Sequence, residues 1–433
     1  MRVHDSPEVA SVLSHISGSS TSRTWGSLKF NPASQMSGSS TIPKFVIDLS
    51  QPPEQRYSHI IPHFVEAVTS CDLPSLFDEL LLDLTGSHVS KWLSNISPYL
   101  MRRVHSEEET AELRGISTAI SIPMHVLVAF NVLLDLLLGC TSGGVRTLDL
   151  PGRTTRMLHF RTLDWGMDKL RHIIVELDFA KSAGGPVIAT TVTYLGYVGV
   201  LTGVRRGLSM SLNFRPYHAN ETLRQRLSFR WNQAMVIFGY RQSISSALRN
   251  ILLEESTELL RQPESSISGD PTQHGVSDNY VQKVLKKLTA SDSTSAYLIF
   301  CQPERLYIVE KDHRKAKVRD SDTFLTAYNH DLKDEEDPSR LEQAAAELES
   351  TDNALGMAEL VGLSLDRKEC LEKMWMKRSL VCRRRYKESR DVVTQADVVK
   401  FLEHDEISND ETHYAVIMDP KEGKVVWRKM YEI

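Results

Sequence analysis

The amino-acid sequence predicts an α+β fold in which a helical first part precedes a β-rich second part. Between Glu54 and Leu138, apolar residues recur at spacings of three and four, which is typical of helices buried on one face. After Cys140 the pattern changes to β-rich runs punctuated by glycine. We therefore place the boundary between the two parts at the Gly139–Cys140 bond.

Residues 1–41 are rich in serine and are predicted to be a disordered tail. The first part, 42–139, begins with a short strand and a Pro-Pro break, and a helix is expected to start at Glu54. Its helical runs are "HIIPHFVEAV", "LPSLFDELLLDL", "VSKWLSNISPYLMRRV", "SEEETAELRGISTAIS" and "IPMHVLVAFNVLLDLLL".

The second part, 140–433, alternates strands and helices and ends in a hairpin around Pro420–Gly423. Strands are predicted in "TRMLHFRTLDW", "HIIVELDFAK", "PVIATTVTYLGYVGVLTGV", "GLSMSLNFRP", "AYLIFCQPERLYIVEKD" and "KAKVRDSDTFLTAYN", and helices in "QSISSALRNILLEESTELLRQ", "NYVQKVLKKLT", "SRLEQAAAELES" and "TQADVVKFLEHD". The polar stretch 263–279 is predicted to be a surface insertion.

Charge and cysteine content exclude several classes of protein. The 51 Lys and Arg residues nearly balance the 56 Asp and Glu residues, so the chain has no field of one sign that would favour nucleic acid. The Arg-rich run at 377–387 is interpreted as a solvated helix or strand edge. Five widely spaced cysteines without a CxxC motif predict neither a metal site nor a disulfide framework.

Neither a secretory signal nor a membrane span is predicted. The N-terminus has no apolar core segment, and the longest apolar run carries Asn131 and Asp135 and is shorter than the roughly 20 residues that a span needs. The compartment is left open, with the cytoplasm as the default.

The stretch "LLDLLLGCTSGG" points to the chemistry of Cys140. If the bond after Gly139 were cut, Cys140 would carry both a thiol and an α-amine whose pKa lies near ~7.7–8, so that nucleophile and general base would share one residue. Gly139 tolerates the strained peptide that such a cut requires. The alternative is an ordinary buried thiol at the end of a helix.

The motifs "GCTS", "HFRTLDWG" and "YLGYVGVLTGVRRGLSMSLN", in this order, resemble the family of acid ceramidase and N-acylethanolamine-hydrolysing acid amidase, a branch of the N-terminal nucleophile hydrolases. The resemblance covers residues 42–433. It implies that the chain cuts itself before Cys140 into an α-subunit (42–139) and a β-subunit (140–433) that remain a heterodimer. The β-subunit would be an αββα sandwich, and no metal or organic cofactor would be needed.

The resemblance also implies roles for individual residues. Cys140 would attack the amide carbonyl, Arg161 would hold the thiolate, and Asp164 would orient the α-amine. Asn329 would donate a hydrogen bond to the oxyanion of the tetrahedral intermediate. From the residues alone, Arg161 and Asp164 could instead form an ordinary salt bridge, and Asn329 could be a turn residue.

Two further positions are matched less closely. Arg340 corresponds to a supporting arginine, although a place on a helix surface is an equal alternative. Asn213 corresponds to a polar site residue of the wider superfamily. The sequence departs from the family at Phe214, where an acidic residue is usual, at the turn "FCQPE", at the insertion 263–279, and in lacking the signal peptide of lysosomal members.

The predicted function is hydrolysis of ceramide-like or N-acylethanolamine substrates to a fatty acid and an amine. Two alternatives stay open: acyl transfer from the same thioester to an amine, and a non-catalytic lipid-binding relative. We expect the apolar helix Met124–Leu138 to pack beside the site. Exposed apolar residues of 42–139 are expected to form a patch that contacts a membrane or lipid aggregate transiently.

Overall fold

The computed structural model describes residues 41–133, 139–150, 153–216, 222–254, 278–335 and 357–432. The strands are β1 (Lys44–Asp48), β2 (Gly139–Asp149), β3 (Thr154–Asp164), β4 (Ile174–Ala180), β5 (Val187–Tyr194), β6 (Thr202–Arg205), β7 (Leu208–Phe214), β8 (Ala296–Cys301), β9 (Leu306–Lys311), β10 (Ala316–Ser321), β11 (Phe324–Ala327), β12 (Thr412–Asp419) and β13 (Lys424–Met430). The helices are α1 (Val65–Cys71), α2 (Leu73–Leu100), α3 (Glu107–Ile120), α4 (Met124–Leu133), α5 (Leu223–Ile237), α6 (Ile244–Leu253), α7 (Asp278–Ala290), α8 (Leu332–Glu335), α9 (Met357–Tyr386) and α10 (Gln395–Leu402).

The strands form two sheets. One has eight strands in the order β1-β4-β5-β6-β7-β8-β9-β10, and the other has five in the order β11-β2-β3-β12-β13. All neighbours are antiparallel except β1, which pairs in parallel with β4. The first part of the chain therefore contributes an edge strand to the larger sheet.

The two sheets stack face to face between layers of helices. β2 and β3 of the smaller sheet contact β7 and β8 of the larger one, α9 and α10 pack on the outer face of β2 and β3, and α6 packs on β5 and β6. The layer order is thus helix, sheet, sheet, helix. The predicted α+β class and its αββα arrangement are confirmed.

Alternation along β3 decides which side chains face the space between the sheets. Leu158 and Phe160 point outward into a cluster with apolar residues of α9 and α10. His159 points inward, where its two ring nitrogens lie 3.0 and 2.9 Å from the hydroxyls of Ser209 and Ser211 on β7. Burial lowers the pKa of His159 to about 3, so the ring between the sheets is neutral.

Several predicted elements differ in their bounds. The expected helix start at Glu54 lies in a short 3-10 turn, Pro53–Gln55, and the first α-helix begins at Val65. The runs "LPSLFDELLLDL" and "VSKWLSNISPYLMRRV" are one helix, α2, whose N-terminus is capped by Asp72. The sequence analysis does not predict helix α5, because basic residues at 224, 226 and 230 interrupt its apolar positions.

Three predicted segments fall wholly or mainly outside the described residues. They are the tail 1–41, apart from residue 41, the helix "SRLEQAAAELES", and the insertion 263–279, apart from Asp278 and Asn279, which begin α7. The Arg-rich run at 377–387 largely forms the end of α9, where Arg378 and Arg383 pair with Asp397 and Asp391. In the described parts of the chain, no helix is both long and apolar enough to cross a membrane.

Candidate active site

Cys140 is the second residue of β2 and is completely buried. The register of the small sheet places it opposite Leu163 and places Ser142 opposite Arg161. Residues at even positions of β2 share the face that looks toward the larger sheet, because successive side chains of a strand alternate. The thiol therefore lies at the start of an inner strand, in the space between the sheets.

Arg161 contacts the sulfur directly. Its Nη2 donates to Cys140 Sγ at 3.1 Å and to the carbonyl oxygen of Leu212 at 2.8 Å. Its Nη1 donates to the carbonyl oxygen of Leu201 and, at 2.7 Å, to Thr202 Oγ1. These contacts fix the guanidinium plane with one edge toward the thiol.

No carboxylate within the described residues pairs with Arg161, although the side chain is completely buried. A buried cation without an anionic partner is unfavourable. Among the groups to which Arg161 donates, the thiol of Cys140 is the one that can ionise. The geometry therefore suits an arginine that stabilises a thiolate.

Asp164 points away from Arg161, because residues three apart on a strand face opposite sides. Its carboxylate accepts hydrogen bonds from Thr412 Oγ1 at 2.7 Å and from Arg367 Nη1. The alternative of a plain Arg161–Asp164 salt bridge is thus wrong. The backbone of Asp164 lies opposite Gly139, beside the bond at which cleavage is predicted.

Asn329 joins these groups. Its Oδ1 accepts from the backbone N–H of Cys140 at 2.9 Å and from Arg367 Nη2 at 3.3 Å, and its Nδ2 donates to the carbonyl oxygen of Phe214 at 2.9 Å. Three independent contacts therefore agree on the orientation of the amide. Here Asn329 holds the nitrogen of Cys140, and its predicted donation to an oxyanion stays a prediction.

Arg367 is a site residue that the sequence did not indicate. It lies on α9 with Ser364 and Leu371 on the same buried face, and Ser364 Oγ accepts from the backbone N–H of Asn329 at 2.8 Å. The spacing Ser364, Arg367, Leu371 is the only signal that could have found it, since it marks one face of a helix. Arg340, for which a supporting role was predicted, lies outside the described residues.

Asn213, on β7, supports the strand that carries Cys140. Its Oδ1 accepts from Ser142 Oγ at 2.7 Å and its Nδ2 donates to the carbonyl oxygen of Ala327 at 3.1 Å. It thus links the two sheets two residues beyond Cys140. Phe214 follows it and takes part through its carbonyl group, which any residue type provides.

Burial favours the neutral forms of Cys140 and Asp164, whereas the neighbouring arginines favour their charged forms. Burial raises the pKa of the Cys140 thiol, and the adjacent Arg161 lowers it in part. Burial likewise raises the pKa of Asp164, which Arg367 opposes. Across the described segments, no cluster of three or more His, Cys, Asp or Glu side chains is arranged to hold a metal ion.

The chain is similar to known proteins over part of its length. A family model described as the beta subunit of N-acylethanolamine-hydrolyzing acid amidase matches residues 40–105. N-acylethanolamine-hydrolyzing acid amidase of Caenorhabditis elegans is 29% identical over 188 residues, covering 40% of this chain and 47% of the relative. Acid ceramidase of Mus musculus is 33% identical over 119 residues, covering 24% and 28%. The chain thus spans less than half the length of these curated relatives.

A solved structure of the Caenorhabditis elegans ortholog of N-acylethanolamine-hydrolyzing acid amidase aligns with a TM-score of 0.43 and 16% identity, over 67% of this chain and 100% of that one. The assignment of the αββα fold is based on the layer order described above and not on this alignment. The subunit name of the matching family model differs from our assignment of 42–139 to the α-subunit, and that assignment stays a prediction.

Fold and site together define a class of protein. It has an αββα fold and a cysteine at the start of an inner strand that contacts an arginine of the neighbouring strand, as predicted for an N-terminal nucleophile hydrolase. Within that class, the matches confirm the predicted resemblance. Over part of its length, the chain is similar to acid ceramidases and to N-acylethanolamine-hydrolyzing acid amidases.

Proposed function

We propose that this chain is a self-cleaving cysteine amidase that hydrolyses N-acylated lipid amines, with Cys140 as the nucleophile. The observation that carries the proposal is the 3.1 Å contact between Arg161 Nη2 and Cys140 Sγ, made by a buried arginine that pairs with no described carboxylate. The names of the relatives, which are ceramidases and amidases, supply the substrate class.

Self-cleavage would start when Cys140 Sγ attacks the carbonyl carbon of Gly139. The S–C bond forms, the C–N bond breaks, and the thiol proton passes to the nitrogen of Cys140, which leaves a thioester. Water then adds to the thioester carbon, releasing the carboxyl group of Gly139 and the free thiol. Asn329 holds the nitrogen during this shift, and Asp164 lies beside the departing Gly139.

Turnover uses the same sulfur with the new α-amine as base. The amine takes the thiol proton, the thiolate attacks the lipid amide, and the protonated amine returns its proton to the leaving group. Arg161 stabilises the thiolate, while Arg367 opposes the rise in the pKa of Asp164 that burial causes and so favours a carboxylate close to the ammonium that forms. Water resolves the acyl thioester and releases the fatty acid.

The purified chain tests the proposal directly. We expect intact-mass measurement to find two fragments that meet at Gly139 and Cys140, whose masses sum to that of the uncut chain plus one water. Incubation with a ceramide and an N-acylethanolamine should release free fatty acid. An uncut chain without hydrolysis would support the lipid-binding alternative, and transfer of the acyl group to an added amine in preference to water would support the acyltransferase.

An enzyme that acts on a lipid needs a surface that contacts the lipid aggregate. We place this surface on α5, whereas the sequence analysis predicted it within residues 42–139. Leu223, Leu227 and Trp231 lie four residues apart on one face and are 64%, 59% and 62% exposed. Exposed arginines at 224, 226 and 230 flank this stripe and form no ion pair with a described carboxylate. An apolar stripe with basic flanks fits an anionic lipid surface. Helix α5 packs against α4, the helix that precedes the site.

The triple variant Leu223→Ser, Leu227→Ser, Trp231→Ser is expected to lose binding to phosphatidylcholine vesicles containing phosphatidylserine, because it removes the inserted apolar area. Vesicle flotation measures the bound fraction, which should fall about 10-fold or more. The control variant Val65→Ser, Val187→Ser changes two exposed apolar residues outside α5, which are 54% and 48% exposed, and should bind like the wild type. Equal binding by both variants would rule out α5 as the lipid surface.

A further inference from the structure

The loop between β5 and β6, together with the first residue of β6, carries two of the groups that hold Arg161. Leu201 supplies a carbonyl oxygen and Thr202 a hydroxyl, and both accept from Arg161 Nη1. This loop, residues 196–201, begins at Gly196, whose φ of +89° is a conformation that other residues rarely adopt. The position of Arg161 against the sulfur therefore depends on the position of the loop.

Asn131 forms hydrogen bonds to the loop from the side of helix α4. It is a buried polar residue among the apolar buried residues of helix α4, where a polar side chain needs partners. Its Nδ2 donates to the carbonyl oxygens of Gly196 and Leu127, each at 2.8 Å, and its Oδ1 accepts from the backbone N–H of Val198 at 2.8 Å. Two of these three bonds fix the loop, three to five residues before Leu201.

Helix α6 forms hydrogen bonds to the loop from the other side. Arg249 Nη1, on α6, donates to the carbonyl oxygen of Val198 at 2.7 Å, and the backbone N–H of Val200 donates to the carbonyl oxygen of Ser245 at 3.1 Å. Arg249 is held in turn by Glu112 of α3, with contacts of 2.6 and 2.7 Å. The loop thus lies between one side chain of the first part and a helix that the first part anchors.

We propose that Asn131 is a positioning residue for the thiol chemistry: by holding residues 196–201 against α4, it keeps Leu201 and Thr202 where they orient Arg161 toward Cys140. The first part of the chain then acts on the site without touching the sulfur. This proposal rests on the proposed function, in which the thiolate of Cys140 is the nucleophile. It also explains why an asparagine interrupts the apolar run of α4.

The variant Asn131→Leu keeps the size of the side chain and removes both bonds to the loop. Arg161 lowers the pKa of Cys140, so a displaced arginine should let that pKa rise. We expect the thiolate absorbance of Cys140 to appear about one pH unit higher, which is about a tenfold loss of thiolate below the midpoint. The same protein carrying Cys140→Ala supplies the baseline. A tenfold fall in kcat with little change in KM should accompany the shift.

Two further variants keep the test decisive. Gly196→Ala strains the loop at its first residue without altering Asn131 and should shift the titration in the same direction. Thr110→Val removes a buried hydroxyl whose hydrogen bonds, among the described residues, go to the carbonyl oxygens of Val104 and Ser106 and not to the loop, and it should leave the titration unchanged. Melting curves establish that each variant is folded.

The outcomes separate this inference from the proposed function. A folded Asn131→Leu or Gly196→Ala protein whose Cys140 titrates like the wild type overturns the positioning role, even if the wild type is an active amidase. A shift equally large in Thr110→Val would also overturn it, because the effect would then follow general destabilisation. If the titration shifts as expected while the wild type hydrolyses no lipid amide, the positioning stands and the proposed function fails.

Discussion

Cys140→Ala is expected to yield a folded, uncut chain with no measurable hydrolysis. One sulfur atom serves both the cleavage and the turnover, so its removal eliminates both, and the loss of rate should be about 10⁴-fold or more. Intact-mass measurement checks the cleavage, and release of fatty acid from a ceramide checks the turnover.

Cys301→Ala is the matched control, because Cys301 is equally buried but bonds to the carbonyl oxygen of Gln302 and not to Arg161. It should cut itself and turn over like the wild type. Two fragments from the Cys140→Ala chain would show that another group performs the cleavage, and the nucleophile would have to be sought elsewhere.

Arg161→Lys and Asp164→Asn are each expected to slow cleavage and turnover by about 100-fold or more. Arg161 reaches four acceptors through two nitrogens in one plane, and a lysine ammonium cannot reproduce that fork. Asp164→Asn keeps the shape that accepts from Thr412 but removes the charge that pairs with Arg367. Single-turnover rates of fatty acid release measure the effect on the chemical step.

The controls for these variants are Arg146→Lys and Asp419→Asn. Arg146 is a buried arginine that pairs with Glu304, and Asp419 is a buried aspartate that pairs with Arg156, so both changes cost stability without touching the site. If the two site variants run within a factor of three of the wild type, Arg161 and Asp164 are structural residues, and their assigned roles are wrong.

Much of the site follows from patterns that act over short distances along the chain. The β-rich pattern after Cys140 predicts the strand that carries Arg161, and strands that are close in sequence often pair, which brings Arg161 near Cys140. The alternation of β3 also separates Arg161 from Asp164, so the salt-bridge alternative could have been excluded from a spacing of three on a strand.

Other features of the site depend on packing that a single sequence does not reveal. Arg367 lies 203 residues from Asp164, in the charged run "LDRKEC", where its helical spacing from Ser364 and Leu371 marks a face of the helix but not the strand against which that face packs. Only the stacking of α9 on the small sheet selects it. Asn131 was visible as a polar residue in an apolar run, but its partners at 196 and 198 belong to a loop with an irregular path.

All five cysteines of the chain are free thiols, so no disulfide joins the first part to the second. While the chain is whole, the two parts are linked through one backbone and meet at a high effective concentration. Once the proposed cut is made, mass action governs their association, and the stability of the active form then depends on how much protein is present. Glu112 with Arg249, Lys44 with Glu176, and Asn131 with its loop become contacts between two molecules. An enzyme of this kind would lose activity on dilution.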